Sequence, residues 1–317
     1  MSTLPSLPYS STDLSATESW LSQLDTDGYT VIAGVADSEQ VLHARSLVWD
    51  WLEGLGTGIE RDKPGTWQDE AWPDWPGTKK YGSCKSQGAA HLGATWYLRG
   101  LPRLKEVFAQ IYKTEDLIVS LDGMILWRPW SEDESLRPGS SKLHVDQNPK
   151  TKPGFHCVQG MLPLYPVNAE VGGTVLIPKS HQLQSDLLSR NPEWASGTSP
   201  RDYCVVKSDD PVQGEEVLVP LQPGDLLLWD SRLVHAGRVG DGGNVSGELA
   251  RASLCVCMGP RERAAKEVIA RRRNAIVEGW CFNNWPWEAV GTKGKVGRGR
   301  REKYTPQVLT EDQIKLL

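Results

Sequence analysis

The chain is poor in the features that most often give a function away by composition. It has 6 cysteines in 317 residues and no Cys-x-x-Cys pair, so neither a thiolate zinc site nor a disulfide framework is expected. Cys255 and Cys257 read as core packing within a strand. There is no run of about 18 apolar residues and no N-terminal signal pattern, which predicts a cytoplasmic protein with no membrane attachment. An excess of positive charge is missing too. Lys and Arg number 35 against 40 Asp and Glu, a net charge of −5 that speaks against a nucleic-acid partner. The one basic cluster, Lys293 to Lys303, is interleaved with glycine and reads as a solvated connector within a basic extension, 291–317. Internal repeats are absent, and oligomeric state is not written in the sequence. Phenylalanine is scarce, at 3 residues, whereas tryptophan reaches 14.

Histidine is scarce as well, with 6 residues, and this makes His144-Val145-Asp146 stand out. Side chains alternate along a strand, so His144 and Asp146 share one face and can close on one ion. His235, further along the chain, would join them from a neighbouring strand. Two imidazoles and one carboxylate leave half of an octahedral coordination sphere open, an arrangement suited to non-haem Fe(II). The other histidines lack ligand spacing. His43, His91 and His156 read as structural, and His181 as the end of a turn.

Two further stretches keep company with the triplet. The first runs Gly172-Gly173-Thr174-Val175-Leu176-Ile177-Pro178-Lys179-Ser180-His181. The second runs from Leu221 to Gly237 and contains Pro223-Gly224-Asp225, a turn signal, then Leu226-Leu227-Leu228-Trp229, a run suited to a strand buried on both faces. Taken in this order, the three motifs resemble the phytanoyl-CoA dioxygenase-like branch of the Fe(II)/2-oxoglutarate oxygenases, over roughly residues 28–260. Lys179 departs from the pattern, which usually has glycine there. The resemblance implies a mainly β fold, a double-stranded β-helix of the jelly-roll or cupin type with flanking α-helices. It also implies Fe(II), 2-oxoglutarate as cosubstrate and O₂, with His144, Asp146 and His235 as metal ligands. Asp146 sets the chain apart from halogenases of this type, which replace the carboxylate to make room for chloride.

A buried 2-oxoglutarate carboxylate needs a fixed cation. The resemblance implies that Arg251 and Ser253, two apart and so on one strand face, supply it. Arg238 is the rival, only three residues past the distal histidine. Gln159, in the strand from His156 to Leu162, either faces the cosubstrate and iron or sits on the outer face of the barrel. Substrate contacts are assigned to Arg128, Asn148, Trp67, Trp72 and Trp75. Arg128 would suit a carboxylate or phosphate if it points inward and is a surface cation if it points outward. Asn148 would continue the strand face of Asp146. The tryptophans lie in a segment, 60–82, broken by Pro and Gly; it is a candidate lid over the substrate, or else its rings anchor a coil to the barrel wall.

The expected organisation is a mobile segment at 1–12, a single oxygenase domain at 13–290 with its β-helix core at about 117–260, and the basic extension. Helices are predicted near 13–25, from Ser38 onward with Val41, Leu42, Leu47, Val48, Trp51 and Leu52 as the apolar stripe, at 102–113 and at about 261–278, with strands at 28–32 and near 117–128. Residues 182–215 form an excursion expected at the active-site rim. The reading is an oxygenase acting on a C–H bond of a small molecule, a metabolite or natural-product intermediate of secondary metabolism, by hydroxylation, desaturation or cyclisation. The alternatives are a cupin-like isomerase or dioxygenase that does not use 2-oxoglutarate, and a non-catalytic binding module of the same fold.

Overall fold

A strand that is apolar on both faces needs a covering layer on each side, and the run Leu226 to Trp229 obtains one of each kind. In a computed structural model, which describes residues 4–73, 81–85, 88–195, 202–242, 247–290 and 304–317, the early strands are β1 (Tyr29–Ile32), β2 (Ser83–Cys84), β3 (Leu117–Val119) and β4 (Met124–Trp127). Next come β5 (His144–Val145), β6 (Val158–Pro163), β7 (Gly172–Leu176), β8 (Cys204–Val205) and β9 (Val217–Leu218). The last are β10 (Leu226–Asp230), β11 (His235–Val239), β12 (Arg251–Val256) and β13 (Met258–Pro260). One sheet has the order β1-β10-β6-β12-β4-β2 and a second the order β8-β5-β11-β7-β9, while β13 and β3 pair separately. All the described pairings between these strands are antiparallel.

Alternation sorts the side chains. On β10, Leu226 and Leu228 join a core shared with the helices, whereas Leu227 and Trp229 join the core between the two sheets. On β12, Ala252, Leu254 and Val256 face the helices, and Arg251 and Cys255 line the space between the sheets. The helix layer comprises α1 (Thr17–Asp27), α2 (Ser38–Gly54), α3 (Gly93–Arg99), α4 (Pro102–Tyr112) and, after the short α5 (Gln184–Arg190), α6 (Lys266–Glu278); α7 (Glu311–Lys315) follows near the C-terminus. The architecture is β-sheets with flanking helices, although among the described residues helical positions outnumber strand positions. No helix among them is long and apolar enough to cross a membrane.

Several sequence expectations shift in detail. The cap of α2 is Asp37, not Ser38: its carboxylate accepts from Gln40 N at 2.8 Å and the Gln40 side chain accepts from Asp37 N at 3.0 Å. The buried stripe of α2 is Val41, Ala44, Val48, Trp49 and Leu52, while Leu42 is exposed. Residues 4–12, read from sequence as a mobile segment, run along both sheets. Leu7 N donates to Leu218 O at 2.9 Å, and Thr12 N to Val31 O at 2.8 Å. The basic cluster 293–303 lies outside the described residues.

The turn motifs have clear work. Gly224 adopts φ +89°, and a side chain there would meet the Ala36 carbonyl at 2.1 Å. Asp225 beside it ties three segments, accepting from Gln222 N, Gly34 N and the Tyr9 hydroxyl. Lys179 takes φ +67°, the left-handed region that explains why glycine is usual at this point. Ser180 Oγ accepts from Val234 N at 2.8 Å, and His181 Nε2 donates to Asp25 O at 3.0 Å. These two bonds fix the residue before His235 and dock the turn onto α1.

Candidate metal centre

His144 and His235 stand directly opposite each other on β5 and β11, with ring centroids 4.3 Å apart. Asp146 follows β5 at a bend, its backbone N–H donating to Ser231 O at 3.1 Å. One carboxylate oxygen lies 3.4 Å from His235 Nε2 and the other 3.9 Å from His144 Nε2. One donor atom from each of the three residues fits within 4.8 Å of the other two.

The tautomers follow from the backbone. His144 Nδ1 contacts Lys142 O at 2.7 Å and His235 Nδ1 contacts Leu233 O at 2.9 Å. A carbonyl only accepts, so both Nδ1 atoms carry protons and both Nε2 lone pairs face Asp146. Burial, reinforced by His235, pushes His144 down to about 4, so its imidazole is neutral at ordinary pH. Burial alone would raise the Asp146 carboxyl, but the imidazoles of His235 and His144 and the Gln159 amide outweigh it and hold the group well below the ordinary carboxylate range. Convergent lone pairs around a fixed negative charge call for a cation. The donor set fits a first-row metal with open positions, as expected from sequence.

The triad opens on a cavity of about 1190 Å³ between the sheets. Arg251 lines the same cavity and is 3% exposed. Its Nε donates to Ser253 Oγ at 3.2 Å and its Nη2 to Thr174 Oγ1 at 3.3 Å, and the guanidinium lies 4.6 Å over the Trp127 ring. No carboxylate among the described residues pairs with it. Burial therefore pushes this arginine down to about 10, an unfavourable state that an anionic ligand would relieve. Arg238 is excluded as the rival cation: Glu216 neutralises it at 2.6 Å, and it also donates to Ser141 O.

Gln159 lines the cavity, which decides its face of β6. Its amide is near enough to Asp146 to favour the carboxylate electrostatically, yet Nε2 is buried with no partner in hydrogen-bonding geometry. Its register partner Trp229 also keeps a buried indole N–H without a partner, 5.2 Å from His235 between ring centroids. The unpartnered Trp229 donor, with the Gln159 amide beside it, fits an oxygen-rich ligand next to the triad.

The expected substrate contacts fare differently. Arg128 points away from the cavity. It donates to Trp67 O and to Asp69 Oδ1, each at 2.7 Å, and lies 5.1 Å over the Trp72 ring. Strand alternation explains this, because Trp127 beside it faces inward. Trp67 and Trp72 are buried in the helix-side core, Trp67 against Trp49 at 4.7 Å, and do not line the cavity. Of the candidate lid, residues 60–73 are thus anchored through Trp67 and Trp72; Trp75 lies outside the described residues, and Tyr81 reaches the cavity. Asn148 is also a tie rather than a substrate contact. It donates to Trp194 O at 3.1 Å and accepts from Lys150 N, because β5 ends at Val145 and alternation ends with it.

Sequence reasoning missed Trp229, Thr174, Trp127 and Tyr203. The first two sit inside the quoted motifs, and counting every second residue from Leu227 or Gly172 would have marked them as inward. Tyr203 comes from the 182–215 excursion and its ring lies 4.4 Å from that of His144, tilted by 42°, so this described residue of the excursion reaches the cavity. Nothing in local sequence points to it.

Residues 124–251 match the phytanoyl-CoA dioxygenase family, a span from the start of β4 to Arg251 that includes the triad. Over 276 residues the chain is 26% identical to Ava biosynthesis cluster protein O of Aspergillus versicolor, covering 84% of this chain and 83% of that one. EvdO2 from Micromonospora carbonacea var. aurantiaca, a solved structure, is 18% identical at a TM-score of 0.51, over 80% of this chain and 93% of its own. AviO1 from Streptomyces viridochromogenes Tue57 is 15% identical at 0.50, over 77% and 96%. At these identities the likeness to solved structures bears on the fold alone.

Proposed function

We propose that this chain, whose residues 124–251 belong to the phytanoyl-CoA dioxygenase family, is an Fe(II)/2-oxoglutarate-dependent oxygenase. Its substrate would be a C–H bond of a small metabolite or natural-product intermediate. The carrying observation is a buried guanidinium without a counter-charge, Arg251, on the same cavity as a convergent His/Asp/His set. The strand order supports a double-stranded β-helix: β4, β12, β6 and β10 are neighbours in one sheet, and β5, β11, β7 and β9 in the other. The relative named for a biosynthesis cluster supports a biosynthetic role.

Bound in this site, iron(II) with 2-oxoglutarate and O₂ supplies oxidation of an unactivated C–H bond, the cosubstrate leaving as succinate and CO₂. His144, Asp146 and His235 would hold the metal, with both imidazoles aimed by their own backbone carbonyls. Arg251, steadied by Ser253, Thr174 and the face of Trp127, would take the far carboxylate of the cosubstrate. Gln159 and Trp229 would donate to oxygens near the metal. Trp229, Ile125 and Met161 make that wall apolar and limit water at the reacting position.

The test is succinate release that depends on Fe(II), 2-oxoglutarate and O₂ together. Absence of 2-oxoglutarate binding to the Fe(II)-loaded protein would sink the proposal and favour a metal-dependent reaction without this cosubstrate.

A further inference from the structure

The wall of the cavity carries an unbalanced charge. Among the described residues that line it are four carboxylates, Asp122, Asp146, Asp202 and Glu288, and three cations, Lys85, Lys152 and Arg251. Lys85 lies 3.1 Å from Asp122, and that pair cancels. Asp146 and Arg251 belong to the metal and cosubstrate ends of the site. Iron(II) and 2-oxoglutarate carry equal and opposite charges, so loading leaves those two ends neutral together. One negative charge remains, in the group around Lys152. Its Nζ lies 2.6 Å from Asp202 and 2.6 Å from Glu288, and 4.0 Å over the Trp285 ring. A single ammonium thus serves two carboxylates and a ring, and no second cation among the described residues pairs with either acid.

The excess charge is poorly screened, because the side chains of Asp202 and Glu288 are only 14% and 26% exposed. Burial raises the Asp202 carboxyl above its ordinary value in spite of Lys152, and Glu288 adds to the rise. Other features of the same cavity call for a ligand independently. Trp229, 4% exposed, keeps its indole N–H without a partner. Tyr203, next to Asp202 in sequence, and Tyr81 line the cavity with rings that are 49% and 39% exposed, and aromatic faces attract cations. The Tyr203 ring is 4.4 Å from that of His144, so Asp202 stands one residue from a side chain against the metal centre. A ligand can rest a cation on the acids while its carbon skeleton reaches the metal. An anion there meets repulsion, and a neutral group leaves the extra charge uncompensated.

We propose that Asp202 and Glu288 recognise a cationic nitrogen on the substrate, a protonated amine or guanidinium whose N–H groups donate to the two carboxylates. Tyr203 and Tyr81 offer aromatic surface to the skeleton that bears it. This names the substrate class of the oxygenase proposed above and rests on that reading for the identity of the active cavity.

Binding is measured by calorimetry at neutral pH on the full chain, with Zn(II) and 2-oxoglutarate present and again with both left out. The probes are a matched pair, 2-(2-naphthyl)ethylamine, which is protonated, and 2-(2-naphthyl)ethanol, which is neutral. The amine should bind at least about tenfold more tightly than the alcohol, the scale of one charge-assisted hydrogen bond. Asp202→Asn or Glu288→Gln alone leaves Lys152 with one acid and a balanced wall. Either should bring the amine down to the affinity of the alcohol, and the unchanged alcohol affinity shows that the cavity is intact. The double variant, which leaves Lys152 without an acid, should bind the alcohol more tightly than the amine. Equal affinity of the two probes for the unaltered chain overturns the proposal, as does binding of neither, a preference that survives both single substitutions, or a double variant that still prefers the amine. If 2-oxoglutarate fails to bind Fe(II)-loaded protein while the amine preference persists and depends on Asp202 and Glu288, the oxygenase reading falls and the cation site stands.

Discussion

Two arginines in this protein are equally hidden and do opposite things. Arg128 and Arg251 are each 3% exposed, and Trp127, the residue before Arg128, is the register partner of Arg251. One sheet therefore carries both cations within a residue of each other along the ladder, pointing to opposite sides. On the helix side Arg128 meets Asp69, the Trp67 carbonyl and the Trp72 ring, which complete its coordination within the protein. On the cavity side Arg251 meets two hydroxyls and a ring, and its charge is left over. Burial by itself says little about whether a cation is structural or functional; the presence of a counter-charge decides it.

The comparison can be broken at several strengths. The largest effect belongs to the charge that the cavity side is built around. His144→Ala, Asp146→Ala or His235→Ala should each lower Fe(II) affinity by more than about 100-fold and abolish succinate release, with little change in melting temperature. A variant that keeps full Fe(II) affinity in titration removes that residue from the site. Next, Arg251→Ala should weaken 2-oxoglutarate binding by about 30- to 5000-fold, equivalent to roughly 2–5 kcal/mol. Its melting temperature should hold, because the ligand-free protein loses a buried cation that had no counter-charge. Arg128→Ala should give the reverse pattern. Breaking its pair with Asp69, whose side chain is 21% exposed, should cost about 2 kcal/mol in urea unfolding while 2-oxoglutarate affinity is unchanged. Should the two variants behave alike in both assays, the distinction drawn from their partners fails. The smallest effect is expected at Arg238→Ala, under about threefold on 2-oxoglutarate affinity, because Glu216 already holds that guanidinium.

The same contrast marks what could be read in the sequence. The cavity side left local marks in the sequence: His-x-Asp, Arg-x-Ser on one face of β12, and the continuous apolar run Leu226 to Trp229, although Asp146 lies at the bend just past β5 and not on the strand itself. The order of motifs then pointed to β-sheets with flanking helices, which the strand and helix layers bear out. The helix side was not legible in this way. Trp67 and Trp72 were assigned to substrate, but whether a ring faces a cavity or a core depends on what docks on it, here Trp49 and Arg128. Asn148 failed for a narrower reason: alternation was carried past the point where β5 bends. The choice between Ser38 and Asp37 as helix cap turned on one residue of register. The long-range contact of Tyr203 with His144 left no local trace.

Each imidazole of the candidate metal centre is oriented by the carbonyl two residues before it in its own chain: Lys142 for His144 and Leu233 for His235. A histidine ligand is usually held through its second ring N–H by a carboxylate, a backbone carbonyl or a water, and here it is the backbone that serves both rings. Here a pair of short peptides, 142–146 and 233–235, brings its own alignment with it. For an engineer, transplanting the centre means carrying these peptides together with the bonds that seat them, Val234 N to Ser180 Oγ and Asp146 N to Ser231 O.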